Sequence, residues 1–157
     1  MNVLCFDQST TCSGWSLFRD GKYVKSGFID KHKIKNADER IAEMGLALCR
    51  LIKEYKPSVV TIEDTQNQTN VKTVIYLARL QGCIILYCAS KGIKLNILHP
   101  TEWRSALEYQ QGPKIKRDAL KQQSKDFVKN YFGLELESED EIEAIAINEA
   151  THRIYEL

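Results

Sequence analysis

The chain has 157 residues, 43% of them hydrophobic and 27% charged, which is the composition of one ordinary globular domain rather than two. Lys plus Arg total 22 against 21 for Asp plus Glu, a balance that excludes a uniformly polybasic binder. The balance hides segregation: Lys22, Lys25, Lys31, Lys33 and Lys35 form one basic tract, Lys114, Lys116, Arg117, Lys121, Lys125 and Lys129 a second, and residues 135–149 are acidic without Lys or Arg.

Val3, Leu4, Cys5 and Phe6 are apolar on both parities, predicting a strand buried on both faces that ends at Asp7. Two further strands, Gly14 to Phe18 and Tyr23 to Ile29, flank an Asp20-Gly21 pair, so the first three strands should form an antiparallel meander. Apolar residues at Ile41, Met44, Leu48, Leu51 and Ile52 predict a helix over 37–55, stopped by Pro57. The β-branched run 58–63 then ends in Glu63, and a right-handed crossover lays it parallel to the first strand. A long helix over 70–90 follows, ended by Gly92, then a fifth strand over 93–98 and a short helix opening at Pro100. A loop at 110–113, a basic helix over 114–131 and an acidic helix over 139–155 close the chain.

The five cysteines have no CxxC spacing and are expected to be reduced, with Cys5, Cys49, Cys83 and Cys88 acting as small hydrophobes. His32, His99 and His152 are scattered without zinc-ligand spacing. Residues 1–6 lack a basic leader, and the run 83–89 falls short of the roughly 20 apolar residues of a membrane span. A cytoplasmic protein with no membrane partner and no small-molecule cofactor is the expectation.

Parallel strands ending in Asp7 and Glu63 would bring both acids to one sheet edge, where open α/β folds hold ligands. Asp140 and Glu143 are three residues apart and share a helical face, while Ile142, Ile145, Ala146 and Ile147 dock that helix on the core. Four acids so gathered require a compensating cation, and hard oxygen donors without His or Cys select Mg²⁺, with Mn²⁺ as a substitute. Two such ions per site would assist phosphoryl transfer. The basic residues Lys114, Lys116, Arg117 and Lys121 are candidates for phosphate contact, with Lys114, Lys121 and Lys125 near one helix face.

The opening Phe6-Asp7-Gln8-Ser9-Thr10-Thr11-Cys12-Ser13-Gly14-Trp15, the strand Thr61-Ile62-Glu63, the stretch Leu77 to Gly82 and the terminal Asp140 to Ile147 resemble the RuvC family of Holliday junction resolvases. The resemblance covers nearly the whole chain. It implies a ribonuclease-H-like α/β fold over 1–157, with a five-stranded mixed sheet (strands 1–3 antiparallel; 1, 4 and 5 parallel) flanked by helices. It further implies a homodimer that nicks opposed strands of a four-way DNA junction, and Asp7, Glu63, Asp140 and Glu143 as the catalytic acids. Asp7-Gln8-Ser9, where the family commonly has Asp-Pro-Gly, and Glu143, where cellular members have Asp, look more like phage-borne members. The loop 64–69 carries no aromatic residue, whereas cellular members have one there that probes bases near the crossover.

Two other readings compete. Asp7 to Thr11 also resembles the first phosphate loop of actin-like ATPases and sugar kinases, but those enzymes clasp nucleotide between two related domains and this chain has room for one. A non-catalytic branched-DNA-binding module is disfavoured by the presence of all four acids. A symmetric dimer would use the apolar residues Val71, Val74, Ile75, Ala78, Gly82, Ile85 and Leu86 of the long helix.

Overall fold

The computed structural model describes residues 1–66 and 70–157. Five strands, β1 (Asn2–Asp7), β2 (Cys12–Arg19), β3 (Lys22–Asp30), β4 (Val59–Glu63) and β5 (Lys94–Leu98), form one sheet in the order β3-β2-β1-β4-β5. β1 to β3 pair antiparallel, while β1 pairs with β4 and β4 with β5 in parallel, as the sequence predicts. The β2–β3 turn places Asp20 at φ 50° and Gly21 at φ 71°, and two positive φ angles in a two-residue hairpin loop are what Asp-Gly supplies.

Helices α1 (Ala37–Tyr55) and α2 (Val71–Lys91) cover one sheet face, where Leu4, Phe6, Val60 and Ile62 meet Met44, Leu48, Leu80 and Ile84. On the other face, Val3, Cys5 and Val59 pack against α3 (Pro100–Ala106) and α5 (Glu139–Tyr155), and α4 (Arg117–Phe132) adds Val128 beside Phe18 and Ile145. The opposite parities of β1 thus feed two cores, which explains its unbroken apolar run.

Three expectations need correction. The basic helix begins at Arg117 rather than 114: Ile115 donates its N–H to the Gly112 carbonyl in a turn, and Lys116 is the extended N-cap. Lys114 therefore lies off the helix and shares no face with Lys121 and Lys125. Cys83 is exposed and Cys49 half-buried, so only Cys5 and Cys88 are core thiols; all five cysteines are free. Finally, α2 is long and apolar enough by length and composition to cross a membrane, because residues on either side of the run 83–89 extend it to 21 residues. Part of the 64–69 loop, residues 67–69, lies outside the described residues.

Helix α5 runs against the middle of the sheet and is buried through most of its length. Ser138 caps it by accepting the Glu141 N–H, and Glu139, Asp140 and Glu141 in its first turn suit the positive helix end. Farther along, the Asn148 amide donates to the Val3 and Ser16 carbonyls at 3.2 and 3.1 Å, and the Ser16 hydroxyl donates to the Ala144 carbonyl at 2.7 Å. The first turn presses on β2 at Gly14, where a Cβ would stand 1.8 Å from the Asp140 carbonyl oxygen. Gly14→Ala is therefore expected to lower stability by about 1–3 kcal/mol, the usual cost of overpacking, as measured by denaturant titration. It should also reduce any activity that needs Asp140.

Candidate active site

The parallel pairing of β1 and β4 brings Asp7 and Glu63 to the same sheet edge, and α5 brings Asp140 and Glu143 to them from the adjoining layer. All four acids line one groove of about 940 Å³. Each is half-buried. Trp103 of α3, fully buried, donates its indole N–H to a Glu63 carboxylate oxygen at 2.7 Å. Gln8 donates its side-chain amide to the Glu63 backbone carbonyl at 2.5 Å, tying the ends of β1 and β4 together.

Electrostatics mark the four as a group. Burial, then repulsion from Glu63, Glu143 and Asp140, raises the Asp7 carboxyl well above the ordinary range. Burial raises Glu63 against the opposing pull of its Trp103 hydrogen bond and Arg104. Glu143 is pushed up to about 7, first by burial, with repulsion from Glu63 adding to it. Among the described residues, none of these four carboxylates is ion-paired with a Lys, Arg or His. A set of oxygen donors without ion-pair partners fits a hard divalent cation. Among the described residues no three carboxylate, His or Cys side chains already stand at metal-ligand spacing, so the acids ring the groove without closing on one point.

The expected phosphate-binding residues divide. Arg117 and Lys121 line the groove, Lys121 pairing with Glu139 on its wall; Lys114 and Lys116 are exposed and are not among the lining residues. Lys35 of the first basic tract joins them, as do three cations that sequence reading passed over: Arg40, Lys72 and Arg104. Arg104 stacks over Trp103 at 5.1 Å, and that Trp-Arg pair one turn into the predicted short helix was the available signal. The others come from segments far apart in the chain, and only the fold unites them.

A mixed sheet with helices on both faces and an acid-lined groove at its edge defines a ribonuclease-H-like α/β protein. The RuvC family, described as crossover junction endodeoxyribonuclease RuvC, matches residues 3–152, and the chain belongs to that family. RuvC of Hydrogenovibrio crunogenus is 28% identical over 149 residues, spanning 92% of this chain and 83% of its own. RuvC of Aliarcobacter butzleri is 39% identical over 90 residues, spanning 55% of this chain and 58% of its own. The fold is similar to Thermus thermophilus RuvC in complex with a Holliday junction (TM-score 0.80, 14% identity, 99% and 96% of the two chains). It is also similar to the yeast mitochondrial Holliday junction resolvase Ydc2 (TM-score 0.58, 15% identity, 96% and 77%). Membership over 150 consecutive positions leaves the actin-like kinase reading without support.

The raised acids carry a pH signature. Between an unfolded carboxyl's ordinary range near 4.5 and the folded value of about 7 for Glu143, the folded state holds protons that the unfolded state has released. Stability in chelator should therefore fall as pH rises through that window. The thermal midpoint in EDTA is expected to be lower at pH 8 than at pH 5.5, and Asp7→Asn, which removes one repelling charge, should flatten the fall.

Proposed function

We propose that the chain is a single-domain, structure-selective endonuclease that resolves Holliday junctions and other branched DNA by paired nicking in recombination or replication. The observation that carries this reading is the gathering of four acids without ion-pair partners on one groove rimmed with cations, in a chain of the RuvC family. Asp7, Glu63, Asp140 and Glu143 serve as catalytic acids and as ligands for two Mg²⁺ ions per site, with Mn²⁺ able to substitute. When bound, the ions supply an activated water and offset the charge on the leaving 3′ oxygen, giving 5′-phosphate and 3′-hydroxyl ends.

The chain's own groups do the positioning. Trp103 holds one Glu63 oxygen and so fixes the carboxylate's rotamer, leaving its other oxygen for the groove. Arg104, Arg117 and Lys121 attract the phosphate backbone, and their charge offsets the repulsion that the acids exert on it. Lys114 and Lys116 extend that surface beyond the groove. Such a protein acts in the cytoplasm, that of a bacterial host if it is phage encoded.

Opposed nicks need two sites, and α2 supports a homodimer. Val71, Ile75, Ala78, Gly82 and Ile85 are exposed and follow one another at steps of four, three, four and three residues. That is the seam of a helix pair, with small Ala78 and Gly82 allowing close approach. Leu86 is 72% exposed beside it, an unusual state for a large apolar residue without a partner.

Asp7→Asn keeps the side chain's shape while removing a ligand charge. It is expected to abolish cleavage of a labelled four-way junction in Mg²⁺ and to leave junction binding intact or tighter; wild-type cutting by this variant would overturn the assignment. Ala78→Glu should yield monomers by sedimentation that bind divalent ions but make no paired incision, whereas a wild type that sediments as a monomer both free and on the junction rules the dimer out.

A further inference from the structure

The basic tract at the end of β3 has no role in the chemistry above, yet the fold brings Lys35 into the lining of the same groove, with Lys31 and Lys33 next to it outside the lining. β3 runs in the direction of β1, both being antiparallel to β2, so residues 31–35 emerge at the sheet edge that carries Asp7. Lys31 donates its backbone N–H to the Thr11 carbonyl at 2.7 Å, and Thr11 lines the groove. Ile34 donates back to the Lys31 carbonyl, making a turn. Arg40, from the first turns of α1, reaches back to donate to the Ile34 and Lys35 carbonyls at 3.1 and 3.4 Å. The turn is thus fastened at both ends, and its shape does not depend on a ligand.

Its charges are unspent. Among the described residues, neither Lys31, Lys33 nor Lys35 is within ion-pair distance of a carboxylate. The nearest acids in sequence are engaged elsewhere, Asp30 by the His32 ring at 2.6 Å and Asp38 by Arg79 at 3.4 Å. Lys33 and Lys35 are exposed and Lys31 half-buried. Lys35, Arg40 and Lys72 approach the acids from the α1–α2 side of the sheet, while Arg104, Arg117 and Lys121 approach from the α3–α4 side. A groove with acids on its floor and cations on both banks suits a polyanion with two backbones.

We propose that the turn bearing Lys31, Lys33 and Lys35 is a second phosphate-holding surface, gripping one DNA backbone while the α3–α4 bank holds the other. The inference rests on the reading of the protein as a DNA nuclease and adds to it a preformed contact on the opposite bank.

The test uses full-length protein carrying Asp7→Asn, so that DNA stays uncut, and measures affinity for a four-way junction and a linear duplex across a salt series. Each phosphate contact contributes a slope of about −0.9 in log affinity against log salt. Adding Lys31→Ala, Lys33→Ala and Lys35→Ala is expected to flatten the slope by about 2–3 on the junction, while replacing the same three lysines by Arg leaves it unchanged. An unchanged slope in the Ala variant overturns the proposal, as does an equal loss in the Arg variant, which would trace the effect to a disturbed turn. If the parent protein shows no preference for the junction over the duplex, the resolvase reading fails, and the slope on the duplex still decides the role of the turn.

Discussion

Asp140 reaches the groove because α5 lies directly on β2 at Gly14, with no side chain between them. Gly14 pairs with Asp7 across the sheet, so the contact that admits the helix also sets where its first turn stands relative to the acid on β1. The buried Asn148 and Ser16 hydrogen bonds hold the rest of the helix in register, and Ile145, Ala146 and Ile147 fill the core on that face of the sheet beneath it. Geometry at one glycine therefore governs the spacing of the whole acidic group.

Assembling that group opposes folding. Burial raises Asp7, Glu63 and Glu143 together, repulsion adds to the rise at Asp7 and Glu143, and the nearby cations temper it without cancelling it. The scaffold tolerates the strain because each acid sits at the end of an element whose apolar body is buried elsewhere: β1 and β4 are central strands, and α5 is a core helix. The local cost is carried by packing that extends well away from the groove.

Much of this is readable in the chain itself. The meander, the crossover and the acid-ended strands follow from parity, the Asp20-Gly21 pair and the β-branched run before Glu63, because these are local signals of backbone geometry. The start of α4 was misplaced because Lys114 and Ile115 have respectable helical propensity, and only the Gly112 turn and extended Lys116 reveal that they lie outside it. Cys83 was misjudged because an apolar neighbourhood in sequence says nothing about which side of a helix faces the core. Trp103, Arg104, Arg40 and Lys72 are hidden for a different reason: their significance is a matter of proximity, and proximity is made by topology. Glu63 was visible from its strand; the indole that orients it was not.

The acids are also spread far apart in sequence, from Asp7 on β1 to Glu143 on α5. During synthesis α5 emerges long after β1 and β4, and until it docks, the groove lacks two of its four carboxylates and β2 lacks its cover. A chain in which α5 has not docked can thus expose the cationic banks of the groove but cannot gather the four acids. Docking of α5 is therefore the step that completes the acidic group.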